Sequence, residues 1–259
     1  MIALVLAAGY GTRFRPATLT TPKPLLPFLG RPILFRLFDH LIGEGVDALV
    51  VNSHHLADVL ETAVGPSYRG VPVSFSREPE ILGTSGAIRR AADAGLLPGE
   101  AFLVVNGDLF TDIPLAPLVE AASEPETWSA MAVLPNPAPE RETPLWGEHG
   151  RLRAVGERPR AEVTGPWLFT GVQCATRRLL DLIPPGRTEL ARDVLVPSIA
   201  RGERAFRLVP CVEGGFWFDL GTPERMALAE DRMRGGVTDD STPCVPSPTR
   251  RSESGPTTG

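Results

Sequence analysis

The chain has 259 residues, 42% of them hydrophobic, and a net charge of −5 at neutral pH. That length suits one large α/β domain or two small ones, and the apolar content excludes a generally disordered chain. The acidic balance argues against a broad nucleic-acid surface, which would be basic. It leaves room for a local cluster of Lys and Arg that binds a small anion.

Cys174, Cys211 and Cys244 are widely spaced, with no CxxC pair. Neither a zinc site nor a disulfide framework is expected, and two core thiols and one tail thiol fit a reducing compartment. The opening run Ile2–Ala8 lacks the basic flank of a signal peptide. No apolar stretch approaches the ~20 residues of a membrane helix. The expectation is a soluble, cytoplasmic protein with no membrane partner.

In chain order, short β-rich runs bounded by turn residues fall at Ile2–Ala8, Ala48–Asn52, Val71–Ser76, Ala101–Val105 and Trp128–Leu134. Between them, apolar residues recur at three and four in Ile33–Leu41, Leu56–Val64, Ser85–Ala94 and Leu115–Ala122. Gly43, Gly45 and Gly95 stand where helices should end. This alternation predicts an α/β fold, a Rossmann-like and mostly parallel sheet covered on both faces.

After about residue 135 the rhythm changes. Asn136–Arg160 is rich in Pro, Glu and Arg, with a strand-like piece at Leu152–Val155. An apolar run at Trp167–Ala175 follows, then helices near Thr176–Leu182 and Glu189–Ala200, a strand at Phe206–Cys211 and a last helix near Pro223–Arg234. Residues 1–135 and 136–234 read as two parts of one fused domain. From 235 to 259 the Ser, Thr, Pro and Gly composition predicts a disordered tail.

Directly after the first strand stands Leu6-Ala-Ala8-Gly9-Tyr-Gly11-Thr12-Arg13-Phe-Arg15-Pro16. Glycines let the backbone approach a bulky anion and point several N–H groups at it. Arg13 adds a planar cation suited to phosphate. Phe14 stands where the dinucleotide fingerprint needs a third glycine, and no Gly-Lys-Ser/Thr follows for a Walker loop. Ten residues on, the prolines of Thr21-Pro-Lys23-Pro-Leu-Leu-Pro27 stiffen the backbone on both sides of Lys23 and fix where its ammonium points. Asp108, in Val105-Asn106-Gly107-Asp108, emerges at the carboxyl end of a strand, where open α/β sheets bind ligands, although an Asp in such a loop is by itself more often a turn or capping residue. His54 and His55 belong to no wider His/Cys cluster and read as surface or packing residues.

Taken together, these segments resemble the signature of the sugar-1-phosphate nucleotidylyltransferases. The likeness continues through Gly83-Thr84-Ser85-Gly86-Ala87 and Trp217-Phe-Asp219-Leu-Gly221-Thr222-Pro223, in the family's order, over about residues 1–234. The chain looks most like short bacterial members acting on mannose 1-phosphate, N-acetylmuramate 1-phosphate or related sugars. The resemblance implies a nucleotide-diphospho-sugar transferase fold with a fused sugar-binding lobe at 136–234. Its expected substrates are an NTP, GTP or UTP, and a sugar 1-phosphate, with Mg²⁺ as cofactor and no nucleic acid.

By the same resemblance, Leu6, Ala8, Gly9, Gly11, Thr12, Arg13, Lys23, Gly83 and Gly86 would bind nucleotide. Arg13, Lys23 and Asp108 would be catalytic, and Asp108 and Asp219 would hold the metal. Asn106, Glu157, Arg158, Thr170 and Gly171 would meet the sugar phosphate, although Arg158 stands where many relatives carry Lys. A catalytically silent, nucleotide-sugar-binding regulator is the main alternative; its usual mark, loss of Arg13, Lys23, Asp108 or Asp219, is missing. A nicotinamide-dependent oxidoreductase is disfavoured by Phe14. Neither base, sugar nor oligomeric state is fixed by the sequence.

Overall fold

The computed structural model describes residues 1–211 and 215–235. The tail beyond 235, and Cys244 with it, lie outside the described residues. The chain begins with β1 (Ile2–Leu6), a loop of short 3-10 turns, and a small hairpin of β2 (Pro27–Phe28) and β3 (Arg31–Pro32). Then come α1 (Ile33–Gly43), β4 (Ala48–Ser53), α2 (Ala57–Val64), β5 (Ser67–Tyr68), β6 (Val71–Arg77), α3 (Gly83–Asp93) and β7 (Ala101–Asn106). β8 (Leu109–Thr111), α4 (Ala116–Ser123) and β9 (Ser129–Pro135) follow. The remainder adds β10 (Leu145–Glu148), β11 (Arg151–Val155), the long β12 (Thr164–Thr176), α5 (Val196–Ala200), β13 (Phe206–Pro210), β14 (Trp217–Asp219) and α6 (Pro223–Gly235).

Ten strands form one sheet in the order β10-β11-β13-β9-β12-β7-β1-β4-β6-β5. β1 pairs in parallel with β4 and β7, and β4 with β6, as strand–helix alternation requires. β12 runs antiparallel to both β7 and β9 and so joins the two parts of the chain within one sheet. The α/β sheet flanked by helices is therefore parallel from β7 through β1 and β4 to β6, with the short β5 antiparallel at that edge, and mixed beyond β7.

Because side chains alternate along a strand, each central strand feeds two cores. Ala3 and Val5 of β1, Leu49 and Val51 of β4, and Leu103 and Val105 of β7 face α1, α2 and α4. Leu4, Val50, Phe102 and Val104 face α3 and the turns between 177 and 195. A third cluster packs Phe14, Leu26, Phe28 and Ile33 against Phe218 and Leu220 beside β14 and Ala229 of α6. This small cluster fastens the loop after β1 to the far end of the chain.

Two expected helices take other forms. Arg177–Leu182 is a 3-10 helix, and the segment expected as one helix over 189–200 is a π-helical stretch, Leu190–Leu195, followed by the short α5. Pro197 has no N–H to offer the carbonyl four residues before it, so the regular α ladder cannot run through this point. Cys174 is buried, which pushes its thiol up to about 12, and burial raises the half-buried Cys211 to about 11. Both thiols are free.

Phe102 is fully buried in the second core. Phe102→Ala should cost about 3–5 kcal/mol of stability, read as a lower urea midpoint with an unchanged slope. A loss under 1 kcal/mol would show that the core repacks around the gap.

Candidate active site

The chain lays down β1, β4 and β6 in one direction and then returns to place β7 on the other side of β1. Strand order therefore reverses between β1 and β7, the point at which open α/β sheets bind ligands outside their carboxyl ends. A cleft of about 340 Å³ opens there, between Leu6 at the end of β1 and Asn106 at the end of β7. Gly107 allows the two ends to meet. Its amide donates to the Leu6 carbonyl at 2.8 Å, and a Cβ at this position would sit 2.7 Å from the same oxygen.

One wall is the loop after β1, with Gly9, Gly11, Thr12 and Arg13. Gly11 has φ +60°, and a Cβ there would lie 2.9 Å from Thr18 Cγ2 and 3.0 Å from Lys23 Cβ. Only glycine meets both demands cheaply. The Thr18 hydroxyl donates to the Gly11 carbonyl at 2.8 Å, and Thr18's own carbonyl lies 2.9 Å from His55 Nε2. A carbonyl only accepts, so His55 is the donor. His54 likewise donates through Nδ1 to the Glu78 carbonyl at 3.0 Å, and its Nε2 lies 3.3 Å from the Tyr10 hydroxyl. These two histidines brace the loop. The sequence offered no spacing that would have revealed this.

Beneath the loop, the Ala7 amide donates to Asn52 Oδ1 at 2.5 Å, and Asn52 donates in turn to Glu78 Oε1 at 2.7 Å. Glu78 Oε2 accepts the Leu82 amide at 2.9 Å. This buried chain ties the segments after β1 and β6 to the end of β4, with Ala8 also buried. Burial raises the Glu78 carboxyl, against which its hydrogen bonds work.

Across the cleft stands Asp108, with Asp219 behind it outside the cleft lining, and each carboxylate has its own cation. Lys23 donates to Asp108 Oδ2 at 2.5 Å and lies 5.4 Å from the Phe14 ring centroid. Asp219, brought to the site by pairing of β14 with β8, is held by Arg225 through Oδ2. The Leu220 amide donates to the Asp108 carbonyl at 2.9 Å, which couples the two acidic segments. Burial, and then the Asp108 charge, push the Asp219 carboxyl upward; Arg225 and Lys23 pull it down. Burial opposes the Arg225 charge, but Asp219 and Glu142 outweigh it and raise the guanidinium. Arg13 is exposed at the cleft, and no carboxylate among the described residues pairs with it.

A divalent cation fits this donor set. Gly221 lines the cleft, and a Cβ there would sit 2.7 Å from Asp219 Oδ1, so glycine leaves that oxygen open. Among the described residues no group of three or more His, Cys, Asp or Glu gathers to hold a metal. Two carboxylates suit Mg²⁺, which completes its shell with water and substrate phosphates.

Other expected contacts lie apart from the cleft lining. Gly83 and Gly86 open α3, where their missing side chains admit the 186–189 segment: a Cβ would come within 2.5 Å of the Thr188 carbonyl and 2.6 Å of the Gly186 carbonyl, respectively. Thr84's amide is turned to Glu189 and Gly86's to Thr188, while Ser85 donates to the Thr188 hydroxyl at 2.9 Å. Neither Thr84 nor Ser85 caps the helix with its side chain. Thr170 is 1% exposed, and its hydroxyl donates to the Ala132 carbonyl. Its place in the irregular part of β12 sets Gly171 (φ +81°) against the Asn106 side chain. Glu157 and Arg158 are exposed, with the Arg158 guanidinium 5.4 Å from the Trp146 ring centroid.

A glycine loop, the cations Arg13, Lys23 and Arg225, and two carboxylates at a strand-order reversal make a site suited to a phosphate-bearing ligand. The chain belongs to the nucleotidyl transferase family, whose sequence profile matches residues 2–234. It is 30% identical over 228 residues to mannose-1-phosphate guanyltransferase beta-B of Xenopus laevis, covering 86% of this chain and 62% of that protein. The catalytic subunit beta of mannose-1-phosphate guanylyltransferase from Drosophila melanogaster is 29% identical, with 86% and 60% covered. The chain thus spans about three fifths of the length of these relatives.

Two solved structures share the fold. HddC from Yersinia pseudotuberculosis, complexed with GMP-PN, superposes with a TM-score of 0.72 at 23% identity, over 90% of this chain and 99% of that one. A putative glucose-1-phosphate thymidylyltransferase from Bacillus anthracis, in complex with sucrose, gives 0.73 at 21%, over 89% and 96%. Among the described residues no helix is long and apolar enough to cross a membrane.

Gly11→Ala should strain the backbone and press on Thr18 and Lys23. Affinity for tripolyphosphate, used as a probe of the loop, should fall by about tenfold or more, since ~1.4 kcal/mol of strain suffices. Isothermal titration with unchanged far-UV circular dichroism checks this; normal affinity would show that the loop adapts.

Proposed function

We propose that this chain transfers a nucleotidyl group from a nucleoside triphosphate to a sugar 1-phosphate and releases pyrophosphate. The observation that carries the reading is the convergence, at one strand-order reversal, of the Gly9–Gly11 loop, Arg13, Lys23, Asp108 and Asp219. Guanosine is the favoured base and mannose 1-phosphate the favoured sugar phosphate. The names of the similar proteins support both, and so does the guanine nucleotide in the HddC complex. The reading takes 1–135 as the nucleotide half and 136–234 as the sugar lobe of a cytoplasmic enzyme.

Two polyanions must be brought together, so catalysis rests on positioning and charge neutralisation. Arg13 and the loop amides hold the β- and γ-phosphates. Lys23, resting on Asp108, serves the α-phosphate. Asn106, Glu157 and Arg158 receive the sugar phosphate, and Gly83 and Gly86 support the base side through the backbone they pack. A sugar-phosphate oxygen attacks the α-phosphorus as the bond to the β-phosphate oxygen breaks and pyrophosphate leaves. The attacking group is already ionised, so no protein nucleophile is needed. Asp108 and Asp219 would hold Mg²⁺, which when bound supplies charge neutralisation at the reacting phosphate oxygens.

Pyrophosphate release should be measured for four nucleoside triphosphates against several sugar 1-phosphates. Release that requires both substrates supports the reading; binding without release for every pair would favour a silent regulator. Asp108→Asn and Asp219→Asn should each lower turnover by about a thousand-fold, roughly 4 kcal/mol of barrier. Turnover near normal in either variant, with an intact fold, would sink the assignment. Arg158→Ala should raise the KM for sugar 1-phosphate far more than that for the triphosphate, and a shift in the triphosphate term alone would reassign Arg158.

A further inference from the structure

Arg225 occupies a place that local helix physics disfavours. The Thr222 hydroxyl accepts the Arg225 amide at 3.2 Å, which puts Thr222 at the N-cap of α6 and Arg225 three residues in. A cation in the first turn opposes the helix dipole, and an acid is the usual occupant. Two carboxylates offset this. One arm of the guanidinium meets Asp219 Oδ2 and the other meets Glu142 Oε1. Glu142 itself is preset, because its loop folds on its own backbone. Its amide donates to the Ala138 carbonyl at 3.0 Å, and its carbonyl accepts from Asn136 Nδ2 at 3.0 Å.

We infer that Arg225 is a positioning residue: its fork holds Asp219 by one oxygen, leaves the other free beside Gly221, and locks that arrangement to Glu142 in the loop leading to β10. This rests on the reading of Asp219 as a cation-holding carboxylate. The planar, two-armed guanidinium matches the task, whereas a lysine ammonium could serve only as a point charge. Carboxylates that ligate metals are oriented by hydrogen-bonding partners of this kind, and loss of such a partner weakens the cation site. The Glu142 arm also makes the 136–144 segment sensitive to what Asp219 binds. Arg225 thereby ties the loop that enters the sugar lobe to the nucleotide side of the cleft.

The test uses the full chain and the variants Arg225→Gln, Arg225→Lys, Glu142→Gln and the double Arg225→Gln/Glu142→Gln. Mn²⁺ affinity is read by electron paramagnetic resonance in the presence of GTP, or of whichever triphosphate the substrate matrix selects, without sugar phosphate. Thermal unfolding and steady-state kinetics accompany it. Arg225→Gln should weaken Mn²⁺ binding by about 10- to 100-fold and lower kcat, with the triphosphate KM nearly unchanged. Arg225→Lys should recover part of this loss. Glu142→Gln should act in the same direction but less, and the double variant should be no worse than Arg225→Gln, because Glu142 acts only through Arg225.

Unchanged or tighter Mn²⁺ binding in Arg225→Gln would overturn the inference, since Arg225 would then be a bystander or a competitor for the cation. Additive losses in the double variant, or a lower melting temperature with Mn²⁺ affinity intact, would overturn it as well. A parent protein that neither binds Mn²⁺ with nucleotide nor releases pyrophosphate sinks the functional reading, and this role falls with it. A fully active parent matched by Arg225→Gln sinks this role alone.

Discussion

The Gly107 amide reaches the Leu6 carbonyl across 2.8 Å, and that bond closes the gap between the last residues of two parallel strands. Any side chain at 107 would push them apart, because a Cβ would lie 2.7 Å from the same oxygen. Leu6 begins the glycine loop, and Asn106 and Asp108 flank Gly107. The spacing of the glycine-loop wall from the acidic wall is therefore set by a contact that carries no charge. The Asn52–Glu78 bridge then fixes the segments after β1 and β6 relative to the end of β4.

On that frame the cleft keeps its charge in balance. Asp108 and Asp219 sit close enough for the first to raise the second, yet each has a cation at hand, Lys23 or Arg225. A bare pair of half-buried carboxylates would be costly to keep ionised. The pairing sets a cation against each carboxylate. Gly221 contributes by what it lacks, since it leaves one Asp219 oxygen uncovered.

Much of this was legible in the sequence wherever the cause is local. The periods of two and 3.6 placed β1, α1, β4, α2, β6, α3 and β7 within a few residues, because burial on known faces writes directly into the spacing. Glycines and prolines marked the loop after β1 and the Lys23 segment for the same reason. What stayed hidden depends on partners far apart in the chain. β12 inserts between β7 and β9 through pairings that no local pattern encodes. His55 braces Thr18 across 37 positions, and Arg225 finds Glu142 across 83. Gly83 and Gly86 were visible as glycines, but the segment they admit, 186–189, was not.

The shared sheet has a mechanical consequence. Since β12 is hydrogen-bonded to β7 on one side and β9 on the other, the two parts of the chain have no hinge between them. Clamshell closure, the common way for a two-part enzyme to wrap a substrate, would require tearing backbone ladders. Adjustment to a ligand is left to the loops along the rim. Ligand range in such a scaffold can thus drift by exchange of rim segments while the frame stays fixed.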